Sequence, residues 1–145
     1  MNYLEYFDQP IEKQNKDFFV HLIKIAMADG IIWHNELELL NSMGRKLGLT
    51  GTDITNLIDT ASKQDYSPPD ELDKRFEQLY NVVKMTLSDG QIDNHEMRFA
   101  RFVASKTGFK ESEIPALLIL IMRGIKEGKD GEDLFRNYKK IRRQI

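Results

Sequence analysis

The chain has 145 residues, a formal net charge of −2 and no cysteine. Disulfide frameworks, zinc–thiolate sites and cysteine nucleophiles are therefore excluded, and the near-neutral charge gives the whole surface no bias toward nucleic acid. The length suits one domain able to bury about two-thirds of its unfolded surface without covalent staples.

At the amino end, Met1 to Asp8 has no basic stretch followed by an apolar core, so it does not read as a secretory signal, and the expected location is cytoplasmic. The longest apolar run, Ile114 to Met122, contains Pro115 and falls well short of the roughly 20 residues that span a bilayer. A peripheral membrane contact stays open.

Phe18, Phe19, Leu22, Ile23, Ile25 and Ala26 recur at three- and four-residue steps and predict a first helix from about Ile11 to Ala28. Gly30 ends it, and Asn35 with Glu38 has capping-box spacing for a second helix, about Glu36 to Leu47, with Leu37, Leu40, Met43, Gly44 and Leu47 inward. A third helix, about Asp53 to Ser62, is expected behind Thr52, with Ile54, Leu57 and Ile58 facing the core. Lys63 to Pro69 is a linker, and Pro68-Pro69 behind Ser67 can open the fourth helix, about Asp70 to Ser88. That helix carries Phe76, Leu79, Val82, Val83 and Leu87. Asp93 and Glu96 have capping-box spacing for a fifth helix carrying Phe99, Phe102, Val103 and Lys106. Ser112 is the expected cap of a sixth, with Leu117, Leu118, Ile121 and Met122 inward. The last helix, about Gly131 to Arg143, starts behind Asp130 and carries Leu134, Phe135, Tyr138 and Ile141.

A shift of 60 positions superimposes Asp29 on Asp89, Gly30 on Gly90, Ile32 on Ile92, Glu36 on Glu96, Gly48 on Gly108 and Ile54 on Ile114. The expected fold is thus an all-α, single-domain bundle of about seven helices spanning 1–145. It is read as two pseudo-symmetric repeats, about 11–62 and 68–126, with an extra helix at about 131–143.

The doubled Asp-Gly turns are the most specific feature. Counted back from Glu36 or Glu96, each Asp-Gly-x-Ile takes places five, six and eight of a twelve-residue EF-hand loop, with the Glu at place twelve. Places one and three are apolar, Ile25 and Met27 in one copy and Met85 and Leu87 in the other, so neither loop alone has an EF-hand's ligands. The candidate ligands are Asp29, Glu36, Asp89, Asp93 and Glu96, with Ca²⁺ or Mg²⁺ favoured over Zn²⁺. They could serve one shared cation, or each turn could be no more than a helix cap. His34 and His95 lie nearby and would admit a transition metal, but polar-loop histidines are more often plain surface groups, and His21 has no acidic company from such a turn.

Arg136, Lys139, Lys140, Arg142 and Arg143 fall after Leu134 with no acid among them. They complement the dipole of their own helix, or else meet an anionic membrane surface; no nucleic-acid motif accompanies them. Trp33 is either a core plug or an anchor for a protein partner. Met27, Met43, Met85, Met97 and Met122 fall on helical positions that suit core filling. No Gly-rich phosphate loop and no His-Glu-x-x-His run is present, so the chain does not read as an enzyme; a carboxylate–metal hydrolase would need an open pocket over the acids.

Ala28-Asp29-Gly30, a hydrophobe, then Glu36 opening a helix that runs to Leu47-Gly48-Leu49 resembles the TerB-like family, which includes tellurite-resistance TerB and the amino-terminal domain of DjlA-type co-chaperones. The resemblance implies an all-helical fold of two related halves and metal-binding acids at Asp29, Glu36, Asp89 and Glu96. The doubled Asp-Gly-x-Ile pattern makes a non-enzymatic, TerB-like interaction or sensing module the expected function, with stress response as the setting. No His-Pro-Asp triplet is present, so co-chaperone activity is not implied. The alternative is a metal-free adaptor or anionic-surface-binding domain whose acidic turns are caps.

Overall fold

The computed structural model describes residues 11–27, 34–87 and 93–143. Within them lie seven helices and no strand: α1 (Ile11–Ala26), α2 (His34–Lys46), α3 (Gly51–Ala61), α4 (Leu72–Thr86), α5 (Asn94–Lys106), α6 (Ile114–Lys126) and α7 (Gly131–Arg143). The all-α expectation holds. The chain divides into two compact units between Tyr66 and Ser67, inside the predicted linker.

In the first unit α1 packs on α2 and α3, and α2 on α3. Phe19, Leu22, Ile23, Ile25 and Ala26 of α1 are buried with Leu40 and Met43 of α2 and Ile54 of α3. Gly44 is buried because α3 comes close there: a Cβ on it would stand 2.7 Å from Ile54 Cγ1 and 3.2 Å from Phe19 Cζ. Leu37, expected inward, is 36% exposed. Thr50 rather than Thr52 caps α3, its hydroxyl accepting from the Asp53 N–H at 3.1 Å.

The second unit is built on α4, which touches α5, α6 and α7; α6 also packs on α5 and α7. The prolines lie in irregular chain ahead of α4, which opens two residues after Asp70 behind Glu71, with no side-chain cap. Arg75 instead ties α4 to the linker, donating from Nε to the Pro69 carbonyl. Ahead of α6 the helix-like turn at 111–113 joins Ile114 N–H to the Lys110 carbonyl at 3.2 Å. Pro115 has no N–H to continue the ladder, so the regular helix starts late, at Ile114 behind Glu113 rather than behind Ser112.

Local features recur 60 residues apart. The helices α2 and α5 begin at His34 and Asn94 and end at Lys46 and Lys106. Past each end a glycine adopts the left-handed conformation, Gly48 at φ 83° and Gly108 at φ 100°. The following N–H bonds back to a helix carbonyl in each case, Leu49 to Gly44 at 3.0 Å and Phe109 to Ala104 at 3.1 Å. This is the hydrogen-bonded helix stop that glycine permits at least cost. The surroundings differ: a Cβ on Gly48 would meet nothing, whereas one on Gly108 would stand 2.6 Å from Arg75 Nη1.

The two buried threonines are satisfied by their own helices. The Thr86 hydroxyl donates to the Val83 carbonyl and that of Thr107 to the Val103 carbonyl, each at 2.8 Å. Among the described residues no helix is long and apolar enough to cross a membrane.

Candidate functional site

Of the five predicted ligands, Asp93 and Glu96 lie wholly within the described residues. Asp29 and Asp89 lie outside them, as does Trp33; Glu36 lies in the first turn of α2, with its side chain outside the description. Asn35 sits inside α2 rather than ahead of it, because that helix begins at His34.

Asp93 stands at the start of α5 with extended backbone (φ −86°, ψ 177°) and aims its carboxylate along the helix. Its Oδ1 accepts from the Glu96 N–H at 2.8 Å, and Glu96 Oε1 accepts from the Asp93 N–H at 3.3 Å. Two orphan donors of the first turn are thus satisfied reciprocally, as the spacing predicted. Asp93 is exposed, while Glu96 is only 8% exposed. Both carboxylates also sit in the positive end of the helix dipole.

That commitment bears on whether the residues suit a cation. A Ca²⁺ site takes six to eight oxygen ligands, and Mg²⁺ a near-octahedral set. Among the described residues no group of three or more His, Asp or Glu side chains is placed to hold a metal ion, and the two carboxylates of this turn are engaged with backbone donors. The front of an EF-hand loop is absent as well. Ile25 lies in α1 and is buried, Met85 lies in α4, and Leu87, buried, closes α4. Apolar side chains held in or at the ends of helices occupy places one and three there, so the described residues do not fit an EF-hand. His95 is exposed.

A more elaborate polar constellation, which the spacing did not suggest, lies where α7 meets the turn ahead of α6. Glu113 Oε1 accepts from the Lys110 N–H at 3.0 Å, and its Oε2 accepts from the Tyr138 hydroxyl at 2.9 Å. Tyr138, 5% exposed, stacks on Phe76 at 5.6 Å between centroids and meets Phe109 edge-on at 5.9 Å. Burial first, then the Glu113 bond and charge, push the Tyr138 phenol up to about 12, with Arg142 pulling the other way. The hydroxyl is therefore a held donor rather than a proton shuttle near neutral pH. Lys110-x-x-Glu113 falls on Thr50-x-x-Asp53 under the 60-residue shift, the only sequence signal that could have marked Glu113.

The basic residues of α7 are mostly engaged with their own helix. Arg136 Nη2 pairs with Asp133 Oδ1 at 2.7 Å, Lys139 Nζ lies 4.9 Å from the Phe135 ring centroid, and the Arg142 guanidinium 6.0 Å from that of Tyr138. Asp130 caps the helix as expected, accepting from the Asp133 N–H at 2.9 Å. A shallow depression of about 230 Å³ beside α6, lined by Ala116, Ile119, Leu120, Arg123 and the following turn, contains none of the predicted acids.

His21 sits on the outer side of α1. Partial desolvation and then Lys24 lower its imidazole from the ordinary value, with Asp17 opposing.

No family model, no curated protein and no solved structure matches the chain.

Proposed function

We propose that the chain is a non-enzymatic, TerB-like interaction module that works in the cytoplasm through its surfaces, without a resident cation. The observation that carries this reading is the capping box at Asp93 and Glu96, where both carboxylates do structural work at the start of α5. A carboxylate used as a cap tolerates its amide counterpart, since Asn caps about as well as Asp, whereas a hard cation loses charged oxygens in the same exchange. The test is thermal unfolding of the wild type and of the Asp93→Asn/Glu96→Gln variant, with and without Ca²⁺, Mg²⁺, Mn²⁺ or Zn²⁺. The cap reading expects a small loss of stability and no dependence on the ion.

A second reading is favoured by the doubled Asp-Gly-x-Ile motif with its Glu seven residues after the Asp. In it Asp29, Glu36, Asp89, Asp93 and Glu96 hold a divalent ion, Ca²⁺ or Mg²⁺, and the module is a sensor. This reading expects a melting temperature that rises with one ion in the wild type and not in the variant.

A further inference from the structure

The last described turn of α7 differs from the rest of the helix in its surroundings. Leu134 and Tyr138 are buried at 1% and 5% exposure, yet Ile141, which continues their stripe one turn on, is 45% exposed. The helices of the second unit cover the stripe as far as Tyr138 and leave Ile141 in solvent. Lys140 and Arg142 are exposed beside it and Lys139 is half-buried. At 100° per residue these four side chains point to four sides of the turn. The helix therefore ends in a knob with cations on three sides and an isoleucine on the fourth.

From this geometry we infer that the end of α7 docks on an anionic phospholipid surface, Ile141 entering the interface while Lys140 and Arg142, which flank it on either side, meet lipid phosphates and carboxylates. The inference deepens the interaction-module reading by naming its partner, and rests on it. Charge complementarity selects the partner: past Asp133 every charged side chain of the helix is a cation, and Arg136, which pairs with Asp133, lies a turn further back. The shape selects a surface over a pocketed ligand, because cations that radiate from one turn cannot converge on a single small anion. The exposed isoleucine selects lipid over a soluble polyanion, which offers no apolar layer for it. The cation–π contact of Arg142 holds the stem of its side chain near the knob, reducing the rotamer freedom lost on docking.

The test is co-sedimentation of the full chain with phosphatidylserine–phosphatidylcholine vesicles and with pure phosphatidylcholine vesicles, at low and at physiological salt. Binding to the anionic vesicles alone is expected, falling steeply as salt rises. Each cation near such a surface contributes roughly a fivefold gain in affinity. Lys140→Glu, a change of two charges at an exposed site, should weaken binding about thirtyfold. Ile141→Ser should weaken vesicle binding several-fold while leaving any retention on heparin unchanged. No sedimentation with anionic vesicles at low salt, equal binding to neutral vesicles, or affinity untouched by Lys140→Glu would overturn the inference. So would loss on Ile141→Ser of heparin retention in step with vesicle binding. The vesicle result is independent of the ion dependence that tests the module reading, so the two can fail separately.

Discussion

Replacing Tyr138 by Phe removes one oxygen and asks what holds α7 to the second unit. The ring stays, so the contacts with Phe76 and Phe109 at 5.6 and 5.9 Å survive, and the loss is confined to the hydrogen bond to Glu113 Oε2 at 2.9 Å. A bond to a charged acceptor contributes about 1.5–3 kcal/mol, and the half-exposed Glu113 recovers part of that from water, which leaves an expected cost of about 1–2 kcal/mol near neutral pH. The same bond has a pH signature of definite sign. The Tyr138 phenol is raised in the folded chain from an ordinary value of 10.0 to about 12, so the unfolded chain loses this proton first. Its contribution is complete below pH 10 and is lost as the pH rises through 10 toward 12. Each tenfold change in proton affinity corresponds to about 1.4 kcal/mol, and after allowance for solvent screening the loss is on the order of 2 kcal/mol. Urea unfolding followed by circular dichroism from pH 8 to 12, taken as the difference between wild type and Tyr138→Phe, isolates it because other alkaline titrations cancel. The advantage of the wild type should shrink above pH 10 and vanish near pH 12. Parallel stability curves over that range would refute the reasoning, since a phenol held by Glu113 cannot titrate alike in both states.

Gly124→Ala should destabilise by about 1–3 kcal/mol in urea unfolding despite the better helix propensity of alanine, because the new Cβ would lie 2.1 Å from Leu134 Cδ2 and 2.9 Å from its Cγ in a buried contact. Asp93→Ala should cost about 1 kcal/mol and Asp93→Asn only a few tenths, read as melting-temperature shifts; equal costs would contradict the cap. Gly108→Ala should lose more stability than Gly48→Ala, since both strain a left-handed residue at about 1–2 kcal/mol and only the first displaces Arg75. His21, lowered in the folded chain, is neutral in both states well above pH 6.5; as the pH falls through 6.5 the unfolded chain takes up the proton first, so stability declines, and His21→Gln should flatten that decline.

Much of the fold was legible because periodicity reports burial directly. All of Phe76, Leu79, Val82, Val83 and Leu87, predicted as one face of α4, are buried. The Asp93–Glu96 box was legible because a cap is a local hydrogen-bond pattern of fixed spacing. Leu37 was misplaced for a tertiary reason, since a helical stripe can extend beyond the neighbours available to cover it. Thr50 was passed over for Thr52 because both can cap and only backbone geometry decides where α3 begins. The Glu113–Tyr138 bond joins residues 25 apart in sequence, and no local pattern marks such a pairing. The prolines of the linker were read as a helix start, whereas irregular chain is tied down there by Arg75, a contact between positions whose pairing has no sequence signature.

The most direct measurement is calorimetric titration of the chelator-treated protein with Ca²⁺, Mg²⁺, Mn²⁺ and Zn²⁺, repeated on the Asp93→Asn/Glu96→Gln variant. A module whose acidic turn is a cap gives no saturable heat with any of the four ions in either protein. Saturable binding that approaches one ion per chain and disappears in the variant would contradict the account and make the acidic turns a cation site.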